Sequence, residues 1–386
     1  MNFDVRIPPL LRIGPGSIDS IGELTATLGS RRPLIVTDRY LTSIGTTHRV
    51  AELLTAGGAQ VEIYDGTIPD PTTDSLSDGL AAVEQHAADS IVALGGGSPI
   101  DTAKALAVLA VRGGSMSELK APYRYEGSTL PVIAIPTTAG TGSECTMFTI
   151  ITDSASGEKM LCAGPSYMPV AGVVDHELTL SMPPRLTADT GIDALTHAVE
   201  AYVSRRANAV SDTFALAAIA RIGRHLRSAY ADGDDATARG EMMLAATLAG
   251  VAFSNASVAL VHGMSRPLGA HFHVAHGMAN AMLFAEVTAF SLSAAENRYA
   301  DCARALGIAS AGDPDTTAAE ALVRELRQLS SDLEVPTPAL RGVERDRWDA
   351  AVPTMAQQAI ASGSPANNPR IPSAEEIEGI YQRIYA

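Results

Sequence analysis

Apolar residues follow two different rhythms along this chain. Up to about residue 180, short β-branched runs recur at PLIVT (33–37), QVEIY (60–64), SIVAL (90–94), PVIAI (131–135) and AGVVD (171–175). Helical patterns such as SLSDGLAAVEQHAA and PIDTAKALAVLAV lie between several of them. Continuous apolar strands separated by helices predict a parallel sheet covered on both faces. The opening MNFDVRIPPLLRIGPGSI predicts a strand pair around a Gly-Pro-Gly turn. From about Leu180 onward, alanine, leucine and methionine recur at helical spacing, as in ADTGIDALTHAVEAYVS and ARGEMMLAATLAGVAFSN. Strand runs nearly vanish, which predicts an all-helical second half. Pro183 and Pro184 interrupt the pattern within DHELTLSMPPRLT (175–187). A chain of 386 residues exceeds one ordinary core. The expected organisation is an α/β domain over 1–179 and a helical domain over 180–386.

Composition narrows the function class. An apolar fraction of 46% with 18% charged residues excludes a disordered or coiled-coil chain. The 28 basic and 43 acidic residues leave a net charge of −15. An acidic surface repels phosphate backbones and anionic lipid, which speaks against nucleic-acid and membrane partners. Cys145, Cys162 and Cys302 are far apart and form no CxxC pair, so they read as buried thiols in a reducing compartment. MNFDVRIPPLLRIGPG, with Asp4, Arg6 and Arg12, does not read as a signal peptide, and no apolar run approaches the roughly 20 residues that span a bilayer. A cytoplasmic enzyme is expected.

Two stretches suggest a nucleotide site. In SIVALGGGSPIDTAKA a strand runs into Gly95, Gly96 and Gly97, and then into a helix. Glycines allow a tight turn and a close approach of phosphate, and a helix N-terminus offers free N–H groups. Ser98 suits an N-cap, Pro99 the first helical position, and Asp101 a capping-box spacing. A plain βα turn would look similar, and the run is not the GxGxxG fingerprint. IPTTAGTGSE places Thr137, Thr138, Thr141 and Ser143 after the strand PVIAI, where hydroxyls can meet ribose and phosphate oxygens or simply line a polar loop. Asp38 ends PLIVTD, where a carboxylate can bind ribose hydroxyls and repel a 2′-phosphate, or cap the next helix.

A second constellation suggests a metal. Asp193 and His197 in TGIDALTHAVEAY are four residues apart, on one face of a helix. His262 in VALVHGMSRPLG and His276 in HVAHGMANAM complete one carboxylate and three imidazoles, a plausible donor set for a divalent transition metal. Taken singly, a histidine on an apolar helix is more often packed in a core.

With GGGSPIDTAKA, IPTTAGTGSE, TADTGIDALTHAVEAY, LVHGMSRPLGAHFHVAHGMANAM and NNPRIPSAEEI in this order, the chain resembles the iron-containing (group III) alcohol dehydrogenases over nearly its whole length. The resemblance implies a Rossmann-like dinucleotide-binding domain without GxGxxG, followed by an all-α metal-binding domain, an architecture related to dehydroquinate synthase. It implies hydride transfer between an alcohol and NAD, with the metal on Asp193, His197, His262 and His276. Iron(II) is the expected metal, and zinc or another divalent ion suits the same donors. The resemblance further implies pyrophosphate at Gly95–Ser98, cofactor contacts at Thr137, Thr138 and Lys159, and NAD preference through Asp38. Asp70, in PDPT, stands where many relatives carry an asparagine near the nicotinamide. Arg266 stands where many relatives carry a histidine four residues after the third ligand. A guanidinium is a poor proton shuttle, so Arg266 reads as a binder of an anionic substrate group or as the partner of a local carboxylate. His271 and His273 are further candidates for the substrate pocket. The expected partners are a small alcohol or aldehyde and further copies of the chain, as a homodimer or higher homo-oligomer. Rival readings are a zinc-dependent polyol dehydrogenase of the glycerol type, a metal-dependent hydrolase or lyase of related architecture, and a non-catalytic binding protein, which the intact ligands beside an intact glycine loop disfavour.

Overall fold

The computed structural model describes residues 2–386. They form two compact units, Arg6–Leu180 and Ser181–Ala386, the second joined by the first few residues of the chain. The first unit contains strands β1 (Leu10–Ile13), β2 (Pro33–Val36), β3 (Glu62–Tyr64), β4 (Ser90–Gly95), β5 (Val132–Pro136), β6 (Phe148–Thr152), β7 (Lys159–Ala163) and β8 (Ala171–Val174). Six of them make one sheet in the order β1-β8-β5-β4-β2-β3, with every neighbouring pair parallel. Side chains alternate between its faces. Leu34, Val36, Ile91 and Ala93 enter one apolar cluster, while Ile35, Val92 and Leu94 enter the other. Both faces are covered, so β2, β4, β5 and β8 are buried throughout and read as unbroken apolar runs. Helix α1 (Gly97–Arg112) leaves the end of β4.

Two elements depart from the sequence reading. The opening segment makes no strand pair: β1 runs parallel to β8, from Leu10 beside Ala171 to Ile13 beside Val174. Pro8 and Pro9 lack the N–H groups that a preceding ladder would need, and Gly14-Pro15-Gly16 leads into a 3-10 turn at Ser17–Ser20. Strands β6 and β7 form an antiparallel hairpin that the search for apolar runs missed. Burial alternates along β6, but its buried residues are Thr149 and Ile151 while Phe148 and Ile150 are half-buried, so the sequence carries no matching alternation.

The second unit is helical, and no strand occurs in it among the described residues. It begins with α2 (Pro184–Val203), α3 (Ala209–Ala231), α4 (Ala236–Ala256), α5 (Leu260–Phe272) and α6 (His276–Ser291), and four more long helices follow. Pro184 starts α2 in the first turn, where a missing N–H costs nothing. Beyond that turn α2 is buried almost all round, packed against α3, α4 and α6. A polar residue on such a helix has no route to water and must be satisfied inside the protein. Among the described residues, no single helix is long and apolar enough to cross a membrane.

Candidate metal centre and nucleotide loop

Asp193, His197 and Glu200 stand at i, i+4 and i+7 on α2, on one face of that buried helix. His262 lies in the first turn of α5, and His276 opens α6. The structure brings the four sequence candidates together: one donor atom from each of Asp193, His197, His262 and His276 lies within 4.8 Å of all the others. Asp193 Oδ1 is the hub, 3.6 Å from His262 Nε2, 3.8 Å from His197 Nε2 and 3.9 Å from His276 Nε2. Asp193, His197 and His262 are buried, whereas the His276 side chain is 40% exposed, so the cluster opens on the His276 side.

The electrostatics suit a cation. Burial pushes the Asp193 carboxyl up, but the imidazoles of His197, His276 and His262 outweigh it and hold the group well below the usual carboxylate range. Burial likewise disfavours a charged His262, and the carboxylates of Glu200 and Asp193 more than offset it. Among the described residues, no lysine or arginine pairs with Asp193. A buried, ionised carboxylate ringed by imidazole nitrogens fits a divalent ion held by one oxygen and three nitrogens.

Glu200 was missed by the sequence reading. Its Oε2 lies 2.6 Å from His262 Nδ1, and its Oε1 accepts the Val261 N–H at 2.6 Å. A carboxylate at Nδ1 keeps the proton there and turns the Nε2 lone pair toward the cluster. The signal was present as a third polar residue in step with Asp193 and His197. The His197 ring is stacked between Phe253, at 4.2 Å, and His262, at 4.5 Å, which fixes its orientation.

The remaining candidates of this unit lie around the cluster or apart from it. Arg266 follows His262 by one turn of α5 and is partly buried. Its Nη1 donates to Ser364 Oγ at 3.1 Å, and among the described residues it has no ion pair, which corrects the expected carboxylate partner. Burial pushes the guanidinium pKa down, and Glu200 partly opposes this. His271 Nε2 lies 2.9 Å from Gln358 Oε1. His273 is exposed at the C-cap of α5 with a φ of 52°, outside the four-residue cluster.

In the first unit, Gly95 ends β4 with a φ of 147°, and a Cβ there would come within 2.5 Å of Pro99, so glycine is required. Helix α1 starts at Gly97 with Gly96 as N-cap, two residues earlier than expected. Ser98 is therefore not the cap, because the glycine turn already supplies the extended residue before the helix. Its Oγ instead accepts the Asp70 N–H at 3.3 Å. Asp101 likewise makes no capping box: it turns inward and accepts from Ile150 N–H and Ser143 Oγ. Thr137 N–H closes on Gly95 O at 3.0 Å. Thr138 Oγ1 is buried beside Gly96 with no hydrogen-bond partner among the described residues. Lys159 Nζ pairs with Asp70 Oδ1 at 2.8 Å, and Asp70 has a φ of 51°. Thus Lys159, Asp70 and Ser98 are linked at the start of α1. Asp38 caps the short helix Arg39–Ser43, Oδ1 accepting the Leu41 N–H at 3.0 Å.

The comparisons with known proteins bear on these two constellations together. Residues 8–176 match the family model described as iron-containing alcohol dehydrogenase, and residues 187–385 match the model of the C-terminal part of the Fe-containing alcohol dehydrogenase family. The chain belongs to the iron-containing alcohol dehydrogenase family. This enzyme is therefore an oxidoreductase that passes hydride between an alcohol and a nicotinamide dinucleotide, and the hydrolase, lyase and binding-protein readings fall away. It is 36% identical to an NAD-dependent methanol dehydrogenase of Bacillus methanolicus over 375 residues, spanning 97% of each chain. It is 37% identical to a 1,3-propanediol dehydrogenase of Klebsiella pneumoniae over 393 residues, spanning 99% of each. A crystal structure of a 1,3-propanediol oxidoreductase superposes with a TM-score of 0.95 at 35% identity, covering both chains fully.

Proposed function

We propose that this dehydrogenase interconverts a small alcohol and its aldehyde or ketone, prefers NAD to NADP, and works with iron(II) held by Asp193, His197, His262 and His276. The observation that carries the reading is the convergence of those four donor atoms around a carboxylate kept ionised by imidazoles. When bound, a divalent ion supplies Lewis acidity that lowers the alcohol pKa, and the dinucleotide supplies the hydride acceptor. Glu200 keeps His262 in the tautomer that donates through Nε2. The half-exposed His276 leaves the side from which substrate oxygen can approach. Gly95, Gly96, Gly97 and Ser98 offer the turn and free N–H groups for pyrophosphate, with Thr137, the unpartnered Thr138 hydroxyl and Lys159 as further contacts. The Asp38 carboxylate supports NAD, because it repels a 2′-phosphate while accepting from ribose hydroxyls.

The proposal extends to Arg266 as a contact for a substrate anionic group, supported by its lack of a carboxylate partner one turn from His262. His273, exposed at the end of the same helix, remains with the pocket rim in this reading. Assembly as a homo-oligomer is part of it too, supported by Leu10 and Ile13, which are 36% and 46% exposed on the open edge of the sheet. The free thiols Cys145, Cys162 and Cys302 support a cytoplasmic setting.

The experiment is an absorbance assay at about 340 nm. Chelator-stripped and iron(II)-reloaded enzyme is given NAD or NADP with a panel of alcohols, including pairs ending in a carboxylate or a methyl. Turnover should require the metal and favour NAD. Full activity after complete stripping, or better kcat/KM with NADP, would overturn the corresponding part. Equal loss on both members of a substrate pair in Arg266→Ala would remove the anion role.

A further inference from the structure

Asn280 stands one turn after His276 on α6 and is fully buried. A carboxamide shut away from water must find its hydrogen bonds inside the protein. Its Nδ2 lies 2.6 Å from Asp193 Oδ1, 3.1 Å from His262 Nε2 and 3.3 Å from His276 Nε2. The shortest of these fixes the amide orientation. An ionised carboxylate offers no proton, so the group beside it has to be the N–H donor and not the carbonyl oxygen. His262 Nε2, with the ring proton on Nδ1 toward Glu200, has a single lone pair that serves an ion or the amide but not both, so the Asp193 contact is the one compatible with a bound ion. One side chain thus faces three of the four donor atoms.

We infer that Asn280 is a positioning residue of the metal centre, its amide holding the Asp193 carboxylate in the arrangement that an ion requires and so setting metal affinity. The inference rests on the metal reading proposed above. Asp193 comes from α2 and Asn280 from α6, so the amide ties two helices at the point where the donors converge. Its other end has no such anchor: Asn280 Oδ1 is buried without a hydrogen-bond partner among the described residues. A carbonyl left in that state costs stability, and a leucine of similar size would fill the space without that cost. The asparagine is thus accounted for by what its nitrogen holds, not by packing. An oxygen with two lone pairs can accept from Asn280 with one and give the other to an ion, so the tie does not displace Asp193 from its role.

The test uses the full-length enzyme stripped of metal and titrated with cobalt(II) against a chromophoric chelator, for wild type, Asn280→Leu and Asn280→Ala. Leucine keeps the volume and removes the donor; alanine serves if leucine does not fold. The expected result is cobalt(II) affinity weakened by about 10–100-fold, the usual effect of losing a group that orients ligands. The visible spectrum should also change, while the stripped Asn280→Leu protein melts close to wild type. Affinity within twofold of wild type with an identical spectrum would overturn the inference and leave Asn280 a packing residue. Should wild type itself take up no stoichiometric cobalt(II), the metal reading fails first and this inference falls with it, a result distinct from a failure of Asn280 alone.

Discussion

Lys104 in the α/β unit is 1% exposed and Asp193 in the helical unit is 2% exposed, yet their surroundings are opposite in kind. Lys104 Nζ sits 2.7–3.2 Å from five oxygens: the carbonyls of Ser143, Thr146 and Phe148, and the hydroxyls of Ser143 and Thr146. Its charge is enclosed by dipoles of the right sign, and nothing further is needed. It fastens α1 to the loop that follows β5. Around Asp193 the neighbours are one N–H donor, from Asn280, and three imidazoles turned toward it, bearers of lone pairs like itself. That arrangement is complete only with a cation at its centre. Burial of charge therefore does not by itself separate a working centre from scaffold. The direction in which the neighbouring lone pairs point does.

The sharpest way to break the comparison is to remove one member of each cluster. His276→Ala takes away a donor that is already 40% exposed, so the fold should hardly notice. Turnover should fall on the order of a thousandfold or more, since Lewis-acid stabilisation is typically several kcal/mol and each ~1.4 kcal/mol is a decade. Elemental analysis should find less than stoichiometric metal in a protein with a near wild-type melting curve. Lys104→Met should do the reverse. It strands five oxygens, and since a buried acceptor left without its donor costs about 1–3 kcal/mol, the loss should reach about 3 kcal/mol or more. Urea unfolding should register it, while metal content stays at wild-type level. A Lys104→Met protein as stable as wild type, or a His276→Ala protein that keeps its metal, would erase the distinction.

The same contrast explains what could be read from the sequence. The sheet was legible because its inner strands are covered on both faces and so are apolar along nearly their whole length, as at Ser90–Gly95 and Val132–Pro136. The hairpin β6–β7 was not, because its apolar residues do not alternate with its burial: Thr149 is buried while Phe148 and Ile150 are only half-buried. Asp193 and His197 were linked by helical spacing alone. Joining them to His262 and His276, some 65 or more residues later, took the family resemblance, since periodicity says nothing about which helices meet. Glu200 lay in the same register as Asp193 and His197 and could have been added. Asn280 could not: a neutral residue on an apolar helix gives no charge signal, and its place is fixed only by tertiary contacts. The helix start at Gly97 was misjudged by giving Ser98 a cap role when the glycine turn had already provided the extended residue.

The smallest predicted effect concerns Asp101, which joins the lysine cluster through Ser143: Lys104 Nζ reaches Ser143 Oγ at 3.2 Å, and that hydroxyl donates to Asp101 Oδ1 at 3.0 Å. Burial pushes the Asp101 carboxyl up to about 6, against the pull of Lys104 and of the bonds from Ile150 and Ser143. Burial pushes Lys104 down to about 8, against the pull of Asp101 and Glu144. For an acid whose folded pKa is raised, the protonated form is favoured by folding. Its stabilising contribution is fully present below the unfolded value near 4 and is lost as pH rises through about 6. The shift corresponds to about 2 kcal/mol once partial solvent contact is allowed for. In Asp101→Asn the amide oxygen can still accept from the Ile150 N–H while the amide nitrogen donates to the Ser143 hydroxyl oxygen, and nothing titrates there. Wild type should therefore lose stability relative to Asp101→Asn between pH 4 and 7, leaving the variant the more stable partner near neutrality by up to that amount. Denaturant titrations of both proteins across this range are the measurement. Parallel profiles would mean that Asp101 is ionised throughout, and that the lysine cluster is a closed ion pair instead of a cation satisfied by neutral oxygens.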